Sequence, residues 1–199
     1  MTVKPQLCLQ EARQRYFEVL GTTGIDYDAW WIQLPIYGVR VGIPNPPAHG
    51  RALRLHDLHH VLTGYDTSIL GECEISAWEL AGGSGKYVAA LGFDLAGCGL
   101  GLLLAPRRTL HAFALGRRCR NLFRLGYSDA LLSRSVEEVR RELGITDAPE
   151  PTLGDRVRFG FCASLGVLSL LAWPITWVGI VATCLAPPPR ESRAAQVRG

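Results

Sequence analysis

Four side chains between positions 56 and 72 could hold one metal ion: His56, Asp57, His60 and Glu72. Each residue of an α-helix turns about 100°, so His56, Asp57 and His60 share one sector if that stretch is helical. Histidines at i and i+4 can approach a single ion, as in helical zinc sites. Asp57 can bind the ion or orient an imidazole from behind. Glu72 follows on a second helix, which the turn at Gly64 lets fold back beside the first. Two nitrogens and two oxygens suit zinc, iron or another divalent transition metal, and the ligand types do not choose among them. His59 points about 100° away from His60 and is expected at the surface or between helices. The same residues could also form an ordinary solvated helix face, because acids are common on surfaces.

Such a site needs two helices and a tight turn, and the surrounding pattern supplies them. Helical spacing runs from Arg51 to Gly64 and again over about 68–80, with Asp66 or Thr67 as the expected N-cap. A further helix is expected over 6–20, an apolar one over 86–105 ended by Pro106, and a basic one after it. Ser135 and Glu138 form a capping box for "SVEEVRRELGI", which Gly144 closes. Residues 25–50 read as loop, with "YGVRVGI" as a possible strand. The expected fold class is all-α. A helical domain over 1–146 is followed by a linker over 147–158, an apolar segment over 159–186 and a basic tail over 187–199.

The totals exclude several function classes. Lys+Arg 21 against Asp+Glu 18 gives a net charge of +3, too balanced to argue for nucleic acid. No two of the six cysteines stand in a CxxC pair, so they read as reduced, mostly buried thiols of a cytoplasmic protein. The N-terminal stretch lacks the apolar run of a signal peptide. Residues 159–186 contain no charged side chain and exceed the roughly 20 residues a helix needs to cross a bilayer. They are expected to span the membrane or to turn back as a re-entrant hairpin at Pro174, with arginines at both flanks and the helical domain on the cytoplasmic side. Arg117, Arg118, Arg120 and Arg124 could rest on anionic lipid heads or simply face water.

The string His56-Asp57, two residues, His60, eleven residues, Glu72 resembles the signature of the fourth ubiquinone (coenzyme Q) biosynthesis protein, the Coq-four family. "HDLHHVLTGYDTSILGECEISAWELAGG" is similar to that family's core helix pair and "SVEEVRRELGI" to its closing helix, so the resemblance covers about half the chain, residues 51–146. It implies an all-helical fold and a divalent metal, zinc first and iron or another transition metal next, held by His56, Asp57, His60 and Glu72 as the catalytic site. It further implies membranes and isoprenoid lipids, a prenylated quinone precursor as substrate, and other quinone-synthesis proteins as partners. Two roles follow from it: oxidative decarboxylation that replaces a ring carboxylate by hydroxyl, or a non-catalytic lipid-binding scaffold for other enzymes. Gly92, Gly97, Gly99 and Gly101 could open a groove for a prenyl tail, or let helices pack closely. A metal-dependent hydrolase of the His-Asp type is a third reading, for which His111 with Asp94 or Asp129 would have to add ligands.

Overall fold

The structure, a computed structural model, describes residues 7–19, 26–36, 39–146 and 149–185, without the side chains of 33–36, 39–41, 43 and 172–185. The described residues form helices α1 (Leu9–Val19), α2 (Pro47–Thr63), α3 (Ile69–Gly82), α4 (Val88–Leu104), α5 (Pro106–Gly116), α6 (Leu122–Leu125), α7 (Asp129–Leu132), α8 (Val136–Leu143) and α9 (Leu153–Leu185). The all-α expectation holds for the architecture, with one addition. Strands β1 (Trp31–Ile36) and β2 (Val39–Pro44) pair antiparallel, with Trp31 opposite Pro44 and Ile36 opposite Val39. The region expected to be mostly loop therefore contains a hairpin. Its isoleucines and valines favour strand, and two strands leave every residue on an edge, where Pro35 and Pro44 cost little.

Helix boundaries follow local chemistry. α2 starts earlier than Arg51 because Pro47 fits the first helical turn, where its missing N–H is not needed. Gly64 ends it at φ 78, a left-handed position that favours glycine. Ser68, rather than Asp66 or Thr67, caps α3, its hydroxyl accepting from the Gly71 N–H. Asp66 in turn accepts from the Ser68 backbone N–H at 2.8 Å. The expected basic helix is split: α5 ends at Gly116, and α6 resumes only at Leu122. Ser135 caps α8 by accepting from the Glu138 N–H, and Gly144 closes that helix at φ 74.

Two apolar clusters hold the helices together. The larger joins Leu55, Leu58 and Leu62 of α2 to Trp78 of α3, Leu115 of α5, Leu122 of α6 and Val139 of α8. The smaller joins Ala77, Cys98, Phe113, Phe159 and Ala163, one layer each from α3, α4, α5 and α9. α4 lies between α3 and α9 because its glycines admit both. A Cβ on Gly97 would stand 2.2 Å from Ser76 of α3, and one on Gly99 would stand 2.3 Å from Gly166 of α9. Gly101 is closed in the same way by Thr109 and Cys73. These three glycines are therefore packing positions and leave no groove for a lipid tail; only Gly92 faces open space.

The membrane expectation is corrected for the described residues: no helix among them is long and apolar enough to cross a membrane. The first turns of the apolar segment are engaged inside the domain, where Phe159, Ala163 and Gly166 pack on α4 and α5. The backbone of α9 continues as one helix through Pro174 to Leu185 rather than reversing there. Residue 186 and the basic tail over 187–199 lie outside the described residues. The stretch expected to be linker already contains the start of α9. There Asp155 accepts from the backbone N–H and hydroxyl of Thr152, and from Arg117 and Arg118 at the end of α5. Two of the four arginines that could rest on lipid heads or face water are thus committed to a buried carboxylate. The five described cysteines are free thiols, as expected, with Cys73 and Cys98 buried.

The glycines of α4 give a paired prediction. Alanine is favoured over glycine in a helix by about 1 kcal/mol. Gly92→Ala will raise stability by up to that amount, whereas Gly99→Ala will lower it by about 1–3 kcal/mol through overpacking. Denaturant melts of the two variants read the opposite signs directly.

Candidate metal centre

α2 and α3 run back to back from the Gly64 turn and bring three ligand groups together. Nε2 of His56 lies 3.2 Å from Nε2 of His60. The Glu72 carboxylate stands 3.3 Å from Nε2 of His56 and 3.4 Å from Nε2 of His60. The ligand atoms of His56, His60 and Glu72 all lie within 4.8 Å of one another, and no other such trio occurs among the described residues. His60 is 1% exposed, His56 20% and Glu72 43%, so the centre is anchored in the core and opens outward through the carboxylate.

The other edge of each imidazole decides what its Nε2 can do. Nδ1 of His60 lies 2.9 Å from the Tyr65 backbone carbonyl, which can only accept. The His60 proton is therefore on Nδ1, and Nε2 presents a lone pair. Nδ1 of His56 lies 3.0 Å from Glu79, a carboxylate that likewise accepts. This is the arrangement that orients metal-binding histidines. Tyr16 stacks on the His60 ring, centroids 5.6 Å apart and planes at 21°.

Glu79 is the functional neighbour that sequence reasoning missed. It is buried, and it accepts from His59 as well, at 2.5 Å from Nδ1. The signal was present in the spacing: Glu79 follows Glu72 by seven residues, which places both on one face of α3. His59 is an interhelix residue, one of the two places expected for it, but it is not detached from the site. Its Nε2 accepts from the Leu122 N–H at 2.9 Å, and its ring packs on Trp78 and Phe123. Asp94 of α4, 2% exposed, lies below Glu79 and accepts from Ser84 at 3.1 Å.

Asp57 sits apart from the trio. Its buried carboxylate accepts from the Tyr27 hydroxyl at 2.5 Å. One residue along a helix turns a side chain by about 100°, enough to send Asp57 toward Tyr27 while His56 meets Glu72. His111 and Asp129, the further ligands that a His-Asp hydrolase would need, lie on α5 and α7 and join no ligand group among the described residues, and neither does Asp94.

The electrostatics fit a site built for a cation. Burial opposes charge on His56, yet Glu79 and then Glu72 outweigh it and hold the imidazole well above 6.5. Glu72 is likewise opposed by burial, but the neighbouring imidazoles of His56 and His60 bring it down to about 2. Burial would raise Glu79, and the neighbouring His56 and His59 drive it well below the carboxylate range. Asp94 goes the other way, pushed well up by burial and by Glu79, so the proton of this carboxyl pair sits on Asp94. Without a cation, a proton on His56 balances these carboxylates.

These features define a helical protein whose central hairpin carries two histidine nitrogens and one carboxylate, a donor set suited to a divalent ion with coordination positions left open. The family described as coenzyme Q (ubiquinone) biosynthesis protein Coq4 matches residues 49–149, just over half the chain. The chain belongs to that family. It is similar to the ubiquinone biosynthesis protein COQ4, mitochondrial, of Vanderwaltozyma polyspora: 37% identical over 106 residues, which make up 50% of this chain and 30% of that protein. The match therefore spans less than a third of that relative's length. No solved structure matches the chain.

Two predictions follow from the shell around the imidazoles. Glu79→Gln will weaken divalent-ion binding by about 10–100-fold, the usual cost of losing a group that orients a ligand histidine; calorimetric titration with zinc measures it. A metal must also displace the proton that Glu79 and Glu72 hold on His56. Its affinity will therefore keep rising with pH well beyond 6.5, with proton release on binding; an affinity that is flat above 6.5 would contradict this.

Proposed function

We propose that this chain is a membrane-associated, metal-dependent protein of ubiquinone biosynthesis that acts on the ring carboxylate of a prenylated quinone precursor. The observation that carries this reading is the convergence of two Nε2 lone pairs and the Glu72 carboxylate, each imidazole fixed from behind by an acceptor. His56, His60 and Glu72 hold the ion, zinc first and iron as the alternative. Asp57, paired with Tyr27, completes the catalytic group from the flank. A divalent ion in this position supplies Lewis acidity toward carboxylate and phenolate oxygens. Around it, Glu79 holds His56 in register, Tyr65 fixes the proton of His60, and Tyr16 closes the side over the His60 ring. Replacing a ring carboxylate by hydroxyl releases carbon dioxide and takes up one oxygen atom with two-electron oxidation, so a two-electron oxidant such as dioxygen is a co-substrate.

A second reading, a lipid-bound scaffold for other quinone-synthesis enzymes, is favoured by one feature. Val157, Phe161, Leu165 and Leu168 recur at three- and four-residue spacing and are all exposed on α9, a stripe suited to lipid or to a partner. In either reading this stripe is the surface through which the domain meets the membrane.

Metal analysis tests the centre: His60→Ala and Glu72→Ala will each lose the bound ion that wild type retains through purification. Activity separates the two readings. In a quinone-deficient strain lacking the endogenous protein, wild type will restore quinone, and Glu72→Ala will leave a carboxylated prenyl precursor visible by mass spectrometry. Equal restoration by both would give the scaffold reading.

A further inference from the structure

A cleft of about 500 Å³ opens between the last turns of α3 and α5 and the first turns of α9. That is within the roughly 300–1,000 Å³ of sites that take small molecules. None of the metal-centre side chains lines it. Its apolar walls are Leu80 and Ala81 of α3, Phe113 of α5, and Val157 and Phe161 of α9. Phe113 packs edge-on against Phe159, ring centroids 5.7 Å apart, so that wall is fixed by the core beneath it.

The charge at the cleft has one sign. Arg117 and Arg158 line it, and no acid among the described residues does. Arg117 and Arg118 share the single charge of Asp155, so a positive balance remains there before Arg158 is added. Arg158 is exposed, and its guanidinium has no ion pair or hydrogen bond among the described residues. An apolar recess with an uncommitted cation beside it matches a molecule with an apolar chain and an anionic head.

The surroundings choose the source of that molecule. Val157 and Phe161, 65% and 68% exposed, belong both to the cleft and to the exposed stripe that runs on through Leu165 and Leu168. Exposed apolar patches of this kind mark protein or membrane contacts. A protein interface is ringed by polar residues, whereas residues 159–186 carry no charged side chain in 28 positions. The only charges flanking the start of the stripe are Arg156 and Arg158, one on each side of Val157. Apolar contact with basic flanks is the pattern of a helix lying on an anionic lipid surface.

We propose that this cleft takes one acyl chain of an anionic membrane phospholipid, with the headgroup against Arg158. The proposal rests on the reading of the α9 stripe as the surface that meets the membrane, and adds which lipid that surface selects and where. The positive rim repels the choline of a neutral phospholipid and accepts a head that carries net negative charge.

The test uses the full chain and two single-chain probes, lysophosphatidylglycerol and lysophosphatidylcholine, each below the concentration at which it forms micelles. Cys162 lines the cleft as a partly exposed free thiol. Its alkylation by a maleimide, read by peptide mass spectrometry, therefore reports occupancy at this place. Lysophosphatidylglycerol will protect Cys162 at about fivefold lower concentration than lysophosphatidylcholine, the worth of one arginine toward anionic lipid. Cys119, a partly exposed thiol outside the cleft, will be protected by neither. Arg158→Gln will lose the preference, and Arg156→Gln, outside the cleft, will keep it. Flotation with phosphatidylcholine vesicles, with and without phosphatidylglycerol, reads the membrane itself: the anionic lipid will strengthen binding of wild type more than of Arg158→Gln. Protection by neither probe, equal protection by both, or a preference that survives Arg158→Gln overturns the proposal, even where the chain binds vesicles. A chain that binds vesicles of neither composition overturns the membrane reading and this proposal together, a result distinct from vesicle binding without selectivity.

Discussion

One buried carboxylate, Glu79, holds the molecule's chemistry and its packing together. It takes a hydrogen bond from His56, which reaches the metal centre, and from His59, which reaches the backbone of α6. A charge placed this deep is tolerated only when its lone pairs are satisfied. The two imidazoles and the proton held on Asp94 meet that requirement. The requirement runs both ways: α2, α3, α4 and α6 must all be in place before Glu79 is satisfied, and only then is His56 aimed at Glu72.

The close approach of helices at glycine makes that possible. α4 could not lie against both α3 and α9 with larger side chains at Gly97 and Gly99, and α4 is the element that carries Asp94 and Phe93. At the other end of the layer, Arg108 makes a two-point contact with Glu74, with Nε at 3.0 Å from the carboxylate, tying α5 to α3. Asp155 and its two arginines fasten the start of α9 to the end of α5. These two polar links lie at the two ends of α5, and the small residues at helix crossings.

Much of this was legible in the residues. The helical spacing of His56, His60 and Glu72, the Gly64 turn and the Ser135 capping box are local signals, because each depends on a few neighbouring positions. What could not be read was non-local. The direction of Asp57 depends on where Tyr27 lies, thirty residues earlier. His59 looked detached because its partners, Glu79 and Leu122, belong to other helices. The apolar run after residue 158 suggested a bilayer because hydropathy does not distinguish a lipid neighbour from a protein one; Phe159 and Ala163 found a protein neighbour. The hairpin was hidden by prolines and glycines that usually mark loops.

The acceptor behind His60 differs in kind from the one behind His56. Glu79 is a side chain and can be lost to a single codon change, but the Tyr65 carbonyl belongs to the main chain. Any residue at that position would offer the same oxygen. What evolution must preserve there is the length and curl of the loop between α2 and α3, not the identity of its residues. A one-residue insertion after Gly64 would free the imidazole to change tautomer as surely as deleting a ligand, though a ligand-by-ligand inspection would find every metal-binding side chain still present.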